Sequence, residues 1–156
     1  MKRVIRSGAI AITIGSVMAC GDSSPVAPTP ASIAGSYALT VTASSTCSAT
    51  LPADAREFKS MANITQTATT FNATLLGHVI FISVTVSGSV SGQTVTFSTF
   101  ALNELSTGGG VVLATAGTAS VAADGSITGT LNGTYQSAAS GASCNATNHQ
   151  IKLVKN

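Results

Sequence analysis

The chain has 156 residues, 44% apolar and only 8% charged, with 43 serines and threonines, 15 glycines, two tyrosines and no tryptophan. Its length fits one domain of ordinary size, and its composition excludes a coiled coil or helical bundle, which needs Leu, Glu, Lys and Ala in helical register. Low charge and few prolines exclude a charged disordered chain, and a formal charge of +2 argues against nucleic acid as a partner.

Lys2, Arg3 and Arg6 form a cationic start, and Ala9 to Met18 is an apolar run of signal-peptide length, too short to span a bilayer. Val17-Met18-Ala19-Cys20 follows. It resembles the bacterial lipobox, with Met18 where a smaller residue is usual. The resemblance implies a signal peptide over residues 1–19, cleavage after Ala19, lipid on the Cys20 sulfur and acylation of the new amino terminus. The membrane is then a partner through a lipid anchor, since several acyl chains at about 0.8 kcal/mol per buried methylene hold stably. The same resemblance places the protein in the cell envelope. Gly21 rather than Asp after the cysteine implies sorting to an outer membrane where the organism has one. Cleavage removes three of the seven basic residues and leaves four against five acidic ones, a net charge of about −1.

Residues 20–33 are read as the lipidated cysteine and a Pro/Ser-rich, solvated tether, reaching at most about 40 Å, and residues 34–156 as a single β domain. From Gly35 the pattern has period two. Tyr37, Leu39 and Val41 mark a first strand; Phe58, Ala62 and Ile64 a second, over 58–67; Phe71, Ala73 and Leu75 a third. The fourth runs from about Val79 to Val90 and turns at Ser91-Gly92-Gln93 into a fifth, Thr94 to Ala101. Val111 to Val121 is a less regular sixth strand, followed by the turn Ala123 to Ser126. Ile127, Leu131 and Tyr135 mark a seventh, and Ile151 and Leu153 an eighth. One short helical turn fits Leu51 to Arg56.

Eight sequential strands with tight loops predict an all-β fold, an antiparallel up-and-down barrel of about eight strands, with a β-sandwich as the alternative. Three cysteines are an odd number. If Cys20 carries lipid, Cys47 and Cys144 remain to pair in an oxidising compartment. Cys47 follows the first strand and Cys144 precedes the last, so in a barrel their disulfide would sit at the seam where the two ends of the sheet meet. Neither cysteine has a second ligand at metal-site spacing. No metal, cofactor or enzymatic activity is expected.

Other motifs carry little chemistry. His78 is placed in a loop and His149 at the start of the last strand, both as surface or loop residues, with no acidic neighbour and no GxSxG elbow in the chain. Gly108-Gly109-Gly110 lacks the Lys and helix of a phosphate loop. The threonines of the outer wall give solubility without charge. Their spacing along the chain drifts from strand to strand, so no flat array of the kind used in adhesion or ice binding is expected.

The remaining candidate is the barrel lumen, which side chains fill or a small ligand occupies. Tyr37, Leu39, Phe71, Phe97, Leu131 and Tyr135 are the candidate ligand contacts, within an inward set that also includes Leu113. Gly129 and Gly133 on that face either relieve a bend or leave room for a guest. Gly35-Ser36-Tyr37, the Gly-Gln-Thr-Val-Thr-Phe hairpin (92–97) and the strand count resemble the lipocalin and avidin group of exported barrels. This chain lacks the tryptophans of those families, so biotin binding is not implied. Two roles stand open for a protein expected to be a monomer. One is a non-catalytic binding module for a small apolar or amphiphilic ligand. The other is a structural or protein-interaction component of the envelope with a filled core, acting through residues 44–56, 102–110 and 137–146.

Overall fold

The structure, a computed structural model, describes residues 26–76, 81–104, 110–137 and 140–156. Cys20, His78 and the Gly108–Gly109 pair lie outside the described residues, as does the side chain of Leu113. Eight antiparallel strands follow one another: β1 (Gly35–Thr42), β2 (Glu57–Thr67), β3 (Thr70–Leu76), β4 (Phe81–Ser91), β5 (Thr94–Glu104), β6 (Gly110–Val121), β7 (Ile127–Ser137) and β8 (Ser143–Lys155). Each pairs with the next, and β8 returns to pair with β1. The sheet is therefore the up-and-down barrel and not the sandwich. Two short 3-10 turns, Ser45–Ala49 and Ala53–Ala55, lie in the β1–β2 connection. The second is the turn expected near Leu51 to Arg56.

Alternation explains the strands. Along β1 and β2 the inward residues Tyr37, Leu39, Val41, Phe58, Ala62 and Ile64 are buried, while their neighbours are half-buried or exposed. Gly92, at φ +55°, supplies the left-handed residue that the two-residue β4–β5 hairpin requires. At the β6–β7 turn the Ser126 N–H and hydroxyl both donate to the Asp124 carboxylate, at 2.9 and 2.7 Å. Those bonds hold the Asp124 carboxyl below its usual range.

Cross-strand neighbours followed round the barrel from Thr67 pass Thr70, Ser89, Thr96, Thr118, Thr130, Gln150 and Thr42, and return to β2 at Glu57. The return point is ten residues from the start, the stagger of strongly tilted strands, about 40° from the barrel axis. All members of that path except Gln150 and Glu57 carry outward hydroxyls. A second row, Ser91, Thr94, Ser120 and Thr128, runs beside it on β4 to β7. The drift expected from sequence spacing is thus cancelled by register, which sets which threonines are neighbours. The rows wrap a cylinder and form no flat face. Among the described residues the outer wall is mostly Ser, Thr, Asn, Gln and Lys, with Met61 and Val154 also exposed.

The inside is apolar and close-packed towards the end that carries the β2–β3, β4–β5 and β6–β7 hairpins. Phe71 meets Phe97 edge-on at 5.7 Å, and Phe97 meets Phe100 edge-on at 5.8 Å. Gly88 lacks a side chain where the Phe71 ring needs the space: a Cβ there would lie 2.7 Å from Phe71 Cε1.

The last residues of the tether belong to this end of the fold. Ile33 is wholly buried, and its N–H donates to Gln66 Oε1 at 2.7 Å. Gln66 Nε2 donates to Ala31 O and Ala68 O, both at 3.0 Å, and the Ala31 N–H donates to Gly92 O at 2.7 Å. The Tyr37 hydroxyl donates to Ile33 O. Burial pushes the Tyr37 phenol above its ordinary range. Residues 31–33 therefore stopper the barrel instead of running free in solvent, and the chain towards Cys20 leaves from the hairpin end.

Candidate functional site

The opposite, distal end is built by the β1–β2 connection. Its Cys47, Leu51 and Ala55 are buried, and Ser44 Oγ accepts from the Thr46 N–H at the start of the first 3-10 turn. Cys47 and Cys144 are joined in a disulfide, with Cα atoms 5.6 Å apart. The expected pairing is right, but its setting differs. Cys144 lies within β8, not ahead of it. β8 begins at Ser143, while its pairing with β1 ends at Gln150. Residues 143–149 thus overhang β1, and the first 3-10 turn, held by the disulfide, covers the edge that β1 leaves open. Such an edge is otherwise a template for another strand.

His149 sits in this overhang and is wholly buried, which corrects its placement as a surface or loop residue. The period-two pattern gave no reason to extend β8 back across the polar run Asn145 to Gln150. The Ser44 N–H donates to His149 Nδ1 at 3.1 Å, so Nε2 carries the proton and donates to Gly133 O at 2.9 Å. The neutral ring ties the β1–β2 connection to β7 at the register shift between Leu131 and Gly133. Both ring nitrogens are engaged in holding backbone. Among the described residues no three His, Cys, Asp or Glu side chains converge.

The six candidate lumen residues do not form one site. Leu39, Phe71 and Phe97 line a void of about 10 Å³, together with Ala62, Ile64 and Leu153. That volume is at most about one water molecule. Tyr37 is tied into the stopper. Leu131 packs across from Gly117, where a Cβ would fall 2.6 Å from Leu131 Cδ2. Gly129 and Gly133 likewise serve the backbone. A Cβ on Gly129 would meet Ala119 Cβ at 2.5 Å and Thr118 O closer still, and Gly133, at φ +152°, sits on the β7–β8 irregularity. Close approach of β6 accounts for Gly129, and Gly133 lies at the irregularity of the β7–β8 pair.

The chain matches no family model, no curated protein and no solved structure.

Tyr135 differs from the other five. Its ring lies 5.9 Å from that of His149, it is wholly buried, and its hydroxyl has no hydrogen-bond partner among the described residues. Burial, and then the nearby Glu57 carboxylate, push its phenol far above the usual range. An unpartnered buried hydroxyl costs about 1–3 kcal/mol.

Outside the barrel, at the distal lip, lies a groove of about 650 Å³, within the range of small-molecule sites. Its walls come from three segments: Thr42 to Ser45, the stretch with Ala53, Arg56 and Glu57, and Asn148 with Gln150 on β8. Ser44, Ser45, Ala53 and Arg56 fall in the 44–56 segment expected to act in a surface role, whereas Thr42, Asn148 and Gln150 were not singled out from the sequence. The polar run at 145–150 was the available signal, but only closure of the β1–β8 seam places it beside residues 42–57.

Proposed function

We propose that this protein is a lipid-anchored, extracytoplasmic and non-catalytic component of the cell envelope. It acts through the outer surface of its distal end, on a barrel whose core is filled. This reading rests on the packing among the described lumen residues, where the Phe71–Phe97–Phe100 stack leaves a void of about 10 Å³. The exit of the tether from the hairpin end agrees with it. A chain anchored at Cys20 would hold that end near the membrane and turn the disulfide-braced end outward. Replacing Cys20 with Ala tests the anchor: the protein should move from the membrane to the soluble envelope fraction, and persistent membrane association would refute it. Native mass spectrometry of protein purified from its own host tests the filled core, because a retained small molecule would overturn it.

One observation favours the second reading, a module for a small amphiphilic ligand: the unpartnered Tyr135 hydroxyl, which a ligand acceptor group would satisfy. Tyr135→Phe separates the two. With a filled core the variant should be more stable than the parent, by about 1 kcal/mol in urea titration, because a buried unsatisfied group is removed. With a resident ligand the host-purified variant should instead be less stable and should lose the bound mass.

A further inference from the structure

We propose that the groove at the distal lip is a binding site for an anionic sugar, a saccharide unit carrying a carboxylate or a phosphate. The proposal rests on the outward-acting reading above and names what that surface takes.

Several side chains around the groove are of the right kind and keep unused donors or acceptors. Arg56 Nε is held by Pro52 O at 3.4 Å, which orients the guanidinium and leaves its terminal nitrogens available. The neighbouring carboxylate, Glu57, is engaged by Lys59 at 2.6 Å, and Arg56 has no carboxylate partner among the described residues. A planar guanidinium without a counter-charge is suited to a two-point contact with a carboxylate or phosphate. Facing it, Gln150 Nε2 is held by Asn148 O at 3.1 Å, leaving its Oε1 as an acceptor. The Asn148 amide and the Thr42 and Ser45 hydroxyls have no partner among the described residues. They offer donors and acceptors in the mixed sequence that sugar hydroxyls require.

The lining also argues against the other occupants of an envelope groove. It contains only alanines as apolar side chains, Ala43 and Ala53, and no aromatic or large aliphatic residue. A peptide or protein partner is gripped mainly by such anchors in apolar pockets, and an acyl chain needs an apolar wall. A hydrated, charged, hydroxyl-rich ligand needs neither.

The test uses the acylated protein in detergent micelles, labelled with ¹⁵N and titrated with three probes: a galacturonic acid oligomer, glucose 1-phosphate and neutral glucose. Shifts should be confined to the amides of residues 42–46, 53–57 and 148–150, and at least one charged probe should bind about tenfold or more tightly than glucose. The tighter of the two charged probes tells carboxylate from phosphate. Arg56→Gln should erase the preference for charge, Arg56→Lys should restore part of it, and Asn148→Ala should weaken all binding with the charge unchanged. Unaltered signals from Cys47 and Leu51, buried in the same lip, in each variant would show that the lip is still folded. Absent or scattered shifts, equal affinity for glucose, or the same shifts from inorganic phosphate and acetate alone would overturn the proposal. The outward-acting reading fails separately, by a molecule retained in the lumen.

Discussion

Reducing the Cys47–Cys144 bond, or replacing both cysteines with alanine, should lower the stability of the barrel by about 4–5 kcal/mol and its Tm by roughly 15–25 °C. The two residues are 97 positions apart, so the bond closes nearly the whole strand sequence into one loop, and the unfolded chain gains most when it opens. A second effect should accompany the first. The disulfide holds the first 3-10 turn over the residues of β8 that β1 does not reach. Without it, that edge is uncovered and the protein should self-associate on warming. Calorimetry and sedimentation with and without reductant, with free thiols counted, measure both. An unchanged Tm with both thiols free would show that the seam needs no staple.

Gly129→Ala is expected to be nearly as damaging, with a loss of at least about 3 kcal/mol in denaturant titration. The added methyl would meet Ala119 Cβ at 2.5 Å and press on the Thr118 carbonyl, both on the paired strand β6. Backbone atoms in a closed sheet cannot turn aside as a side-chain rotamer does, so relief would require the β6–β7 pair to part. Gly141 provides the control. It has φ +70° and nothing within 4 Å of an added Cβ, so Gly141→Ala should lose only about 1 kcal/mol, from backbone strain alone. Equal effects at the two positions would mean that the close approach of β6 and β7 is not rigid.

The sheet was legible because its signal is local. Tyr37, Leu39 and Val41, or Phe71, Ala73 and Leu75, alternate as any half-buried strand must; five of the six are buried and Ala73 is half-buried. The Gly92 and Asp124 turns carry their own chemistry. The lower limit of β8 was not legible, because Ser143 to His149 pairs with β7 on one side only and buries few apolar groups. His149 was misplaced for the same reason. Its two hydrogen bonds go to Ser44 and Gly133, which are 105 and 16 residues away in the chain. The candidate ligand contacts were correctly placed inside, but periodicity states which way a side chain points and not how much space remains between it and its neighbour. That space depends on the Phe71–Phe97–Phe100 stack and on Gly88, which makes room for it.

By itself, then, the sequence determined the all-β class, the number and order of the strands, the turns between most of them and the partner of each barrel cysteine. These follow from side-chain period and turn chemistry, which act within a few residues. The tertiary structure alone decided the closed barrel with its ten-residue stagger, the docking of residues 31–33, the burial of His149, the close packing around Phe71 and Phe97 and the groove beside Arg56. Each of these depends on which strands meet and in what register. Register is a property of closure: it is settled when the two ends of the sheet join and every strand must fit both of its neighbours at once.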